Sequence, residues 1–233
     1  MSFFYYNGYY SNEMGLIVEE KSIHNGPQPD FEMISVPGRD GDVVLDHNRY
    51  KNVEVSYTVS FIGTKEKAAA LRQWLCERAD YGYLFDSEQP DHFRYAVLIS
   101  QLNIEQILSN VGRAKLTFSC KPYIYRKDGV YAEKYTQSGF TLTNPEDYPS
   151  VPDITIYGSG TISLNINYRS YTIKDVTNHV TLDGELMNAY AGSALLNDKI
   201  QFTEWPTLRR GTNTIEWIGN VRSVYIAPNW RTL

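Results

Sequence analysis

Hydrophobic and polar residues alternate most regularly over residues 51–62, where Val53, Val55, Tyr57, Val59 and Phe61 are separated by Glu54, Ser56, Thr58 and Ser60. Side chains in a strand point to opposite faces with period two, so this stretch predicts a strand with one face in a core and the other wet or against a partner. Upstream, residues 3–6 and 9–11 flank Asn7-Gly8, a dipeptide that closes tight hairpins because both positions tolerate positive φ. Residues 14–19 and 31–36 predict further short strands, separated by the turn-forming Asn25-Gly26-Pro27.

After Gly63 the period changes. Thr64 can cap a helix running to about residue 79, with Ala68, Leu71, Trp74 and Leu75 on one face and Lys65, Glu66, Arg72, Gln73 and Glu77 opposite. Gly82 reads as its stop. Strand patterns resume at 83–85, 95–100, 102–108 and 114–120. From 127 to 152 the apolar density falls and Gly, Ser, Thr, Asn and Pro accumulate, which predicts a first domain over 1–130, a linker over 131–151 and a second domain over 152–233. The second domain reads as all-β, with strands at 154–157, 161–166, 171–173, 180–182, 200–202, 214–218 and 224–226, and a turn at Gly158-Ser159-Gly160. Short strands at this spacing predict a sandwich of two antiparallel sheets, so the fold class is mainly β, in two domains with one helix.

Composition narrows the function. The 233 residues carry 22 Lys and Arg against 27 Asp and Glu, a net charge of −5, and lack the basic clusters that phosphate contacts require; nucleic-acid sequence recognition is not expected. No apolar run approaches a membrane span, and the N-terminus has no signal-peptide pattern. Cys76 and Cys120 form no CxxC and are expected to be packed, reduced thiols, in keeping with a protein made in the cytoplasm. His24, His47, His92 and His179 are scattered without metal-ligand spacing, and neither HExxH nor a calcium loop is present, so neither metal nor cofactor is expected. There is no GxSxG elbow and no nucleotide-binding glycine loop, and carboxylates such as Asp40, Asp42, Asp183 and Glu185 read as solvated loop residues. The chain is therefore read as no enzyme. Tyrosine is abundant, 19 residues, and suits surfaces with one apolar and one wet side, as at interfaces and sugar-binding faces.

Two blocks stand out: Val36-Pro37-Gly38-Arg39-Asp40-Gly41-Asp42, a tight loop projecting charges, and Pro206-Thr207-Leu208-Arg209-Arg210-Gly211-Thr212-Asn213-Thr214-Ile215, a turn feeding a strand. In ordered succession with Asn7-Gly8, Phe118-Ser119-Cys120-Lys121-Pro122-Tyr123 and Pro228-Asn229-Trp230-Arg231, they resemble the distal tail (Dit) protein family of long-tailed phages and prophages of Gram-positive bacteria. Two positions depart from the family pattern. Asn167-Tyr168 stands where many relatives carry Asn-Gly, which predicts a longer or differently shaped hairpin, and Trp205 stands where Phe or a polar residue is usual.

The resemblance implies a structural virion protein of the tail tip. Its N-terminal domain, a β-sandwich or split barrel with one helix, would form a hexameric ring. Its C-terminal domain, a galectin-like β-sandwich, would project outward. The ring would join the tail tube and tape-measure end to the tail-associated baseplate or fibre protein. The expected assembly residues are Arg39, Asp40 and Asp42 in the loop and Val53, Val55 and Tyr57 in the alternating strand, whose edge could pair between subunits. The rival reading is a carbohydrate-binding module contacting host cell-wall glycans through Tyr157, Tyr168, Tyr171 or Tyr190; a wall-degrading hydrolase lacks the residues it would need.

Overall fold

The computed structural model describes residues 2–63, 65–77, 80–101, 105–108 and 111–233. The chain divides into two compact units, residues 1–124 with Leu233, and residues 125–232. The segment expected as a linker, 131–151, belongs to the second unit, because two strands within it pair with that unit's longest strand.

The first unit contains β1 (Phe4–Tyr6), β2 (Tyr9–Tyr10), β3 (Leu16–Ser22), β4 (Pro29–Ile34), β5 (Val43–Tyr50), β6 (Val53–Ile62), α1 (Lys65–Cys76), β7 (Gly82–Asp86), β8 (His92–Leu98), β9 (Glu105–Leu108) and β10 (Val111–Cys120). Seven strands form an antiparallel sheet in the order β2-β1-β7-β8-β10-β6-β3, with β9 added on β10, and β4 and β5 form a separate two-stranded sheet. β6 alternates as its sequence predicts: Val53, Val55, Tyr57, Val59 and Phe61 are all buried. Of these, Val55, Tyr57, Val59 and Phe61 pack with Phe4, Tyr6, Leu116, Phe118 and the helix residues Leu71, Trp74 and Leu75. The Trp74 indole N–H donates to the Tyr6 carbonyl at 2.8 Å, fixing the helix to β1 where its apolar face is covered. Burying each such side chain is worth roughly 1.5–3 kcal/mol.

Thr64 and residues 78–79, where the helix cap and end were placed, and 102–104, the start of a predicted strand, lie outside the described residues. Gly82 is not a helix stop but the first residue of β7; a Cβ there would collide with the Asn7 side-chain amide at the β1–β2 turn. Cys76 is exposed rather than packed, because one residue beyond Leu75 is a rotation of about 100° off the buried stripe. Cys120 is buried, and burial pushes its thiol pKa up to about 12, so it is protonated and unreactive.

Next in the chain come β11 (Ile124–Arg126), β12 (Glu133–Tyr135), β13 (Phe140–Asn144), β14 (Asp153–Ile166), β15 (Arg169–Val176), β16 (His179–Asp183), β17 (Asn188–Ala191), β18 (Ala194–Leu195), β19 (Gly211–Ala227) and β20 (Arg231–Thr232). Two pairs of predicted strands, 154–157 with 161–166 and 214–218 with 224–226, are each one long strand. Gly158-Ser159-Gly160 is therefore no hairpin turn. It is a bend within β14, opposite a matching bend in β19, where the register between the two strands shifts. A Cβ at Gly158 would strike the backbone of Asn220, and Gly219 lies at φ +119 with Thr161 O 2.6 Å from where its Cβ would stand.

Beyond the bend the partners change. The first half of β14 pairs with β16, and the second half with β15. The first half of β19 pairs with β13, and its end with β12. The two long strands thus run through both layers of a β-sandwich around Ile154, Ile156, Ile162, Leu164, Ile173, Val180, Leu182, Ile215 and Val224. Residues 200–202 contribute only an isolated bridge, Ile200 to Ile173.

Candidate assembly surface

The Pro37–Asp42 loop lies at the tip of the β4–β5 ribbon. Gly38 and Gly41 take φ of +81° and +75°, and the Arg39 amide donates to Val36 O at 3.1 Å, so the chain reverses within a few residues. Arg39, Asp40 and Asp42 are exposed at this tip.

Below the tip, the ribbon leaves apolar side chains uncovered on both faces. Directly opposed residues in an antiparallel pair share a face. Met33 lies opposite Val44 and Phe31 opposite Asp46, while Ile34 lies opposite Val43 and Leu45 opposite Glu32. Phe31, Met33 and Val44 are 44%, 54% and 57% exposed on one face, and Ile34 and Leu45 are 40% and 46% exposed on the other. The ribbon base is pinned instead by charge: Arg49 Nε donates to Asp30 Oδ2 at 2.7 Å, with Lys51 Nζ 3.6 Å from Oδ1. The Arg49 hydrogen bond holds the Asp30 carboxyl below the usual carboxylate range, against a smaller opposing effect of desolvation.

The other expected assembly residues are elsewhere. Val53, Val55 and Tyr57 are core residues, 3%, 1% and 1% exposed. β6 is paired along one edge with β10 over its whole length and along the other with β3 from Ser56 to Phe61, so most of both edges is already taken. Burial pushes the Tyr57 phenol well above its ordinary range, in a polar interior shared with Asp86 and Arg94. Among the described residues, β3 ends the sheet order and pairs only with β6. Lys21, on β3, donates to Asp86 Oδ1 at 2.6 Å and lies 2.8 Å from Glu88. Burial opposes its charge, but those two carboxylates more than compensate and raise its pKa. Sequence reasoning read β6 correctly as half-buried but missed β5, whose polar Asp46-His47-Asn48-Arg49 run gave no alternation; the exposed Val44 and Leu45 before that run were the available signal.

In the second unit, Tyr171 is core and Tyr157 stacks on His179 with ring centroids 5.5 Å apart. Tyr168 alone of the four candidate tyrosines is fully exposed. Of the longer or differently shaped hairpin its sequence suggested, the longer form is not found: the turn has two residues between Ile166 and Arg169, with Asn167 at φ +51 and Tyr168 at φ +69. The second unusual block builds the support for this turn. Leu208 and Ile215 are buried, Gly211 takes φ +77, and the buried Asn213 donates to Arg209 O and Gly211 O while accepting from Arg209 N. Asn167 donates to Asn213 Oδ1 at 2.6 Å and accepts from Thr214 N.

No helix among the described residues is long and apolar enough to cross a membrane. No curated protein matches the sequence. Residues 13–120 match the model of the phage tail protein RIFT-related domain. Among solved structures, the chain is similar to the Dit (gp 19.1) protein of phage SPP1, described as a paradigm of the hub adsorption apparatus in phages infecting Gram-positive hosts: 13% identity, 100% of both chains covered, TM-score 0.74. It is also similar to a chain of the phage p2 baseplate in its activated conformation, at 9% identity, 97% of both chains and TM-score 0.54. Residues 13–120 thus match the phage tail protein RIFT-related domain, and the chain as a whole has the mainly β fold of the SPP1 Dit protein.

Proposed function

We propose that the chain is a structural component of a phage or prophage tail tip, a distal tail protein whose first unit assembles six copies into a ring. The ring joins the tail tube and tape-measure end to the baseplate or fibre protein, in a virion assembled in the host cytoplasm. Its work is done by shape and adhesion, without catalysis.

The observation that carries this reading is the β4–β5 ribbon. Two-stranded ribbons are marginal by themselves, and this one exposes Phe31, Met33, Ile34, Val44 and Leu45 together. A second copy of the chain supplies a matching surface: the outer edge of β3, with a row of backbone donors and acceptors and the exposed Ile17. Ribbon and sheet edge are different surfaces, so their contact is heterologous and propagates head to tail, closing into a ring when the rotation per copy allows. Arg39, Asp40 and Asp42 at the ribbon tip are placed to fix its register on the neighbour. Val53, Val55 and Tyr57 act from within, as the core that holds β3 and β6 in place.

Sedimentation and negative-stain imaging of the full chain, alone and with neighbouring tail proteins, test this. Six-fold rings are expected. Arg39→Ala with Asp40→Ala should weaken them, and solitary particles under every condition would refute the reading.

A further inference from the structure

The second unit carries a feature that the proposed ring contact does not involve. We propose that the cleft beside the Asn167-Tyr168 turn is a subsite for a neutral, hydroxyl-rich glycan. The proposal goes beyond the ring reading and stands independently of it.

The cleft has a volume of about 300 Å³ and is lined by Asn165, Asn167, Tyr168, Thr214 and Glu216. That is the lower end of the range for small-ligand sites, about 300–1,000 Å³, and suits one or two sugar rings. Its floor is the outward face of two neighbouring strands: Asn165 of β14 lies directly opposite Glu216 of β19, while Leu164, Ile166 and Ile215 point inward to the core. A rigid sheet therefore sets the spacing of the polar groups.

Those groups are available. Asn167 is committed to Asn213 and to the Thr214 amide, but the Asn165 amide, the Thr214 hydroxyl and the Glu216 carboxylate hydrogen-bond to nothing among the described residues. An amide offers two donors and an acceptor, a hydroxyl offers both, and a carboxylate accepts from two hydroxyls at once. That combination complements the vicinal hydroxyls of a sugar.

Tyr168 supplies the remaining element. It is wholly exposed, at 102% of a reference tyrosine, and sits at φ +69, a left-handed conformation in which a bulky residue is an outlier. Both central residues of this turn have positive φ, the geometry for which Asn-Gly is the ordinary solution. Tyrosine at the second position adds backbone strain and an uncovered ring, and strain held in place by surrounding structure marks functional sites. The surrounding structure here is the Asn213 clamp. The ring at the cleft rim can pack its face on the C–H face of a sugar while its hydroxyl stays in water.

The charge pattern selects among ligands. Among the described residues, Glu216 is the sole ionisable lining group other than the Tyr168 phenol and no Lys or Arg lines the cleft, so a phosphate finds no cationic partner there and a neutral saccharide is favoured.

The test uses the full chain. Saturation-transfer NMR and titration are run against methyl glycosides of glucose, galactose, N-acetylglucosamine and rhamnose and their neutral disaccharides, with glycerol phosphate as the charged control. At least one neutral saccharide should bind saturably, with Tyr168→Gly and Glu216→Gln each weakening it about tenfold. Tyr168→Gly restores the ordinary turn, so it should fold and leave sedimentation unchanged, which separates this proposal from ring formation. Absence of binding across the panel, wild-type binding by Tyr168→Gly, or equal binding of glycerol phosphate would each overturn it.

Discussion

β6 and the β4–β5 ribbon lie next to each other in the sequence, and both carry apolar residues at strand spacing, yet they do opposite things with them. In β6, Val53, Val55, Tyr57, Val59 and Phe61 all face a core built by their own chain. In the ribbon, Phe31, Met33 and Val44 face one way and Ile34 and Leu45 the other, and all five remain exposed. A strand buried on one face needs polar residues on the other, and β6 has them. A ribbon apolar on both faces cannot satisfy itself by lying down on one sheet, since one face would stay wet. Alternation therefore reports how many faces of a strand are buried, and the second apolar face is what the proposed contact with another copy would cover.

The largest test of this contrast is in the core. Phe118 is fully buried, with its ring 4.9 Å from that of Tyr6 and 6.0 Å from that of Phe4. Phe118→Ala should cost about 3–5 kcal/mol in denaturant unfolding of the first unit. A loss below about 1 kcal/mol would mean that the β6 face is not the core described here.

An effect of about 1 kcal/mol is expected in the second unit. Tyr168→Gly should stabilise it by about that much, because it removes a left-handed non-glycine residue. Destabilisation would show that the exposed ring packs on its own chain, as β6 does.

The ribbon base should answer to acid. Asp30's folded pKa lies below its unfolded value, so its contribution is complete above the unfolded pKa, about 4, and is lost as pH falls through the folded value. Amide protection at the ribbon base should hold from neutral pH to about 4 and then fall. Asp30→Asn should lower it at neutral pH and remove the acid dependence.

The smallest stability change belongs to the ribbon faces. Met33→Asp with Val44→Lys should alter monomer unfolding by no more than about 0.5 kcal/mol, because both side chains are already more than half exposed and opposite charges suit directly opposed positions, while ring formation is lost. A large loss of monomer stability would show that the ribbon packs on its own chain.

Much of this was legible in advance. β6, the Asn7-Gly8 turn and the buried stripe of α1 follow from local periodicity and turn chemistry, and the ordered motifs resemble those of the distal tail proteins. What escaped depends on long-range partners. The Gly158-Ser159-Gly160 bend looks like a turn because its glycines serve a close approach to Asn220 and Thr161, which no local pattern shows. β12 and β13 hide in a polar stretch because they are completed by β19. Val53, Val55 and Tyr57 were expected at an interface for the same reason: a half-wet strand looks alike whether its edges are free or, as here, paired with β3 and β10. Tyr168 was visible as a departure from Asn-Gly, but its exposure and its Asn213 support were not.

Amide hydrogen exchange across residues 29–62, measured on the free chain and on the assembled particle, bears most directly on the central claim. Exchange in the ribbon should slow sharply on assembly while β6, protected already, stays unchanged. Rings whose ribbon amides exchange as fast as in the free chain would contradict it.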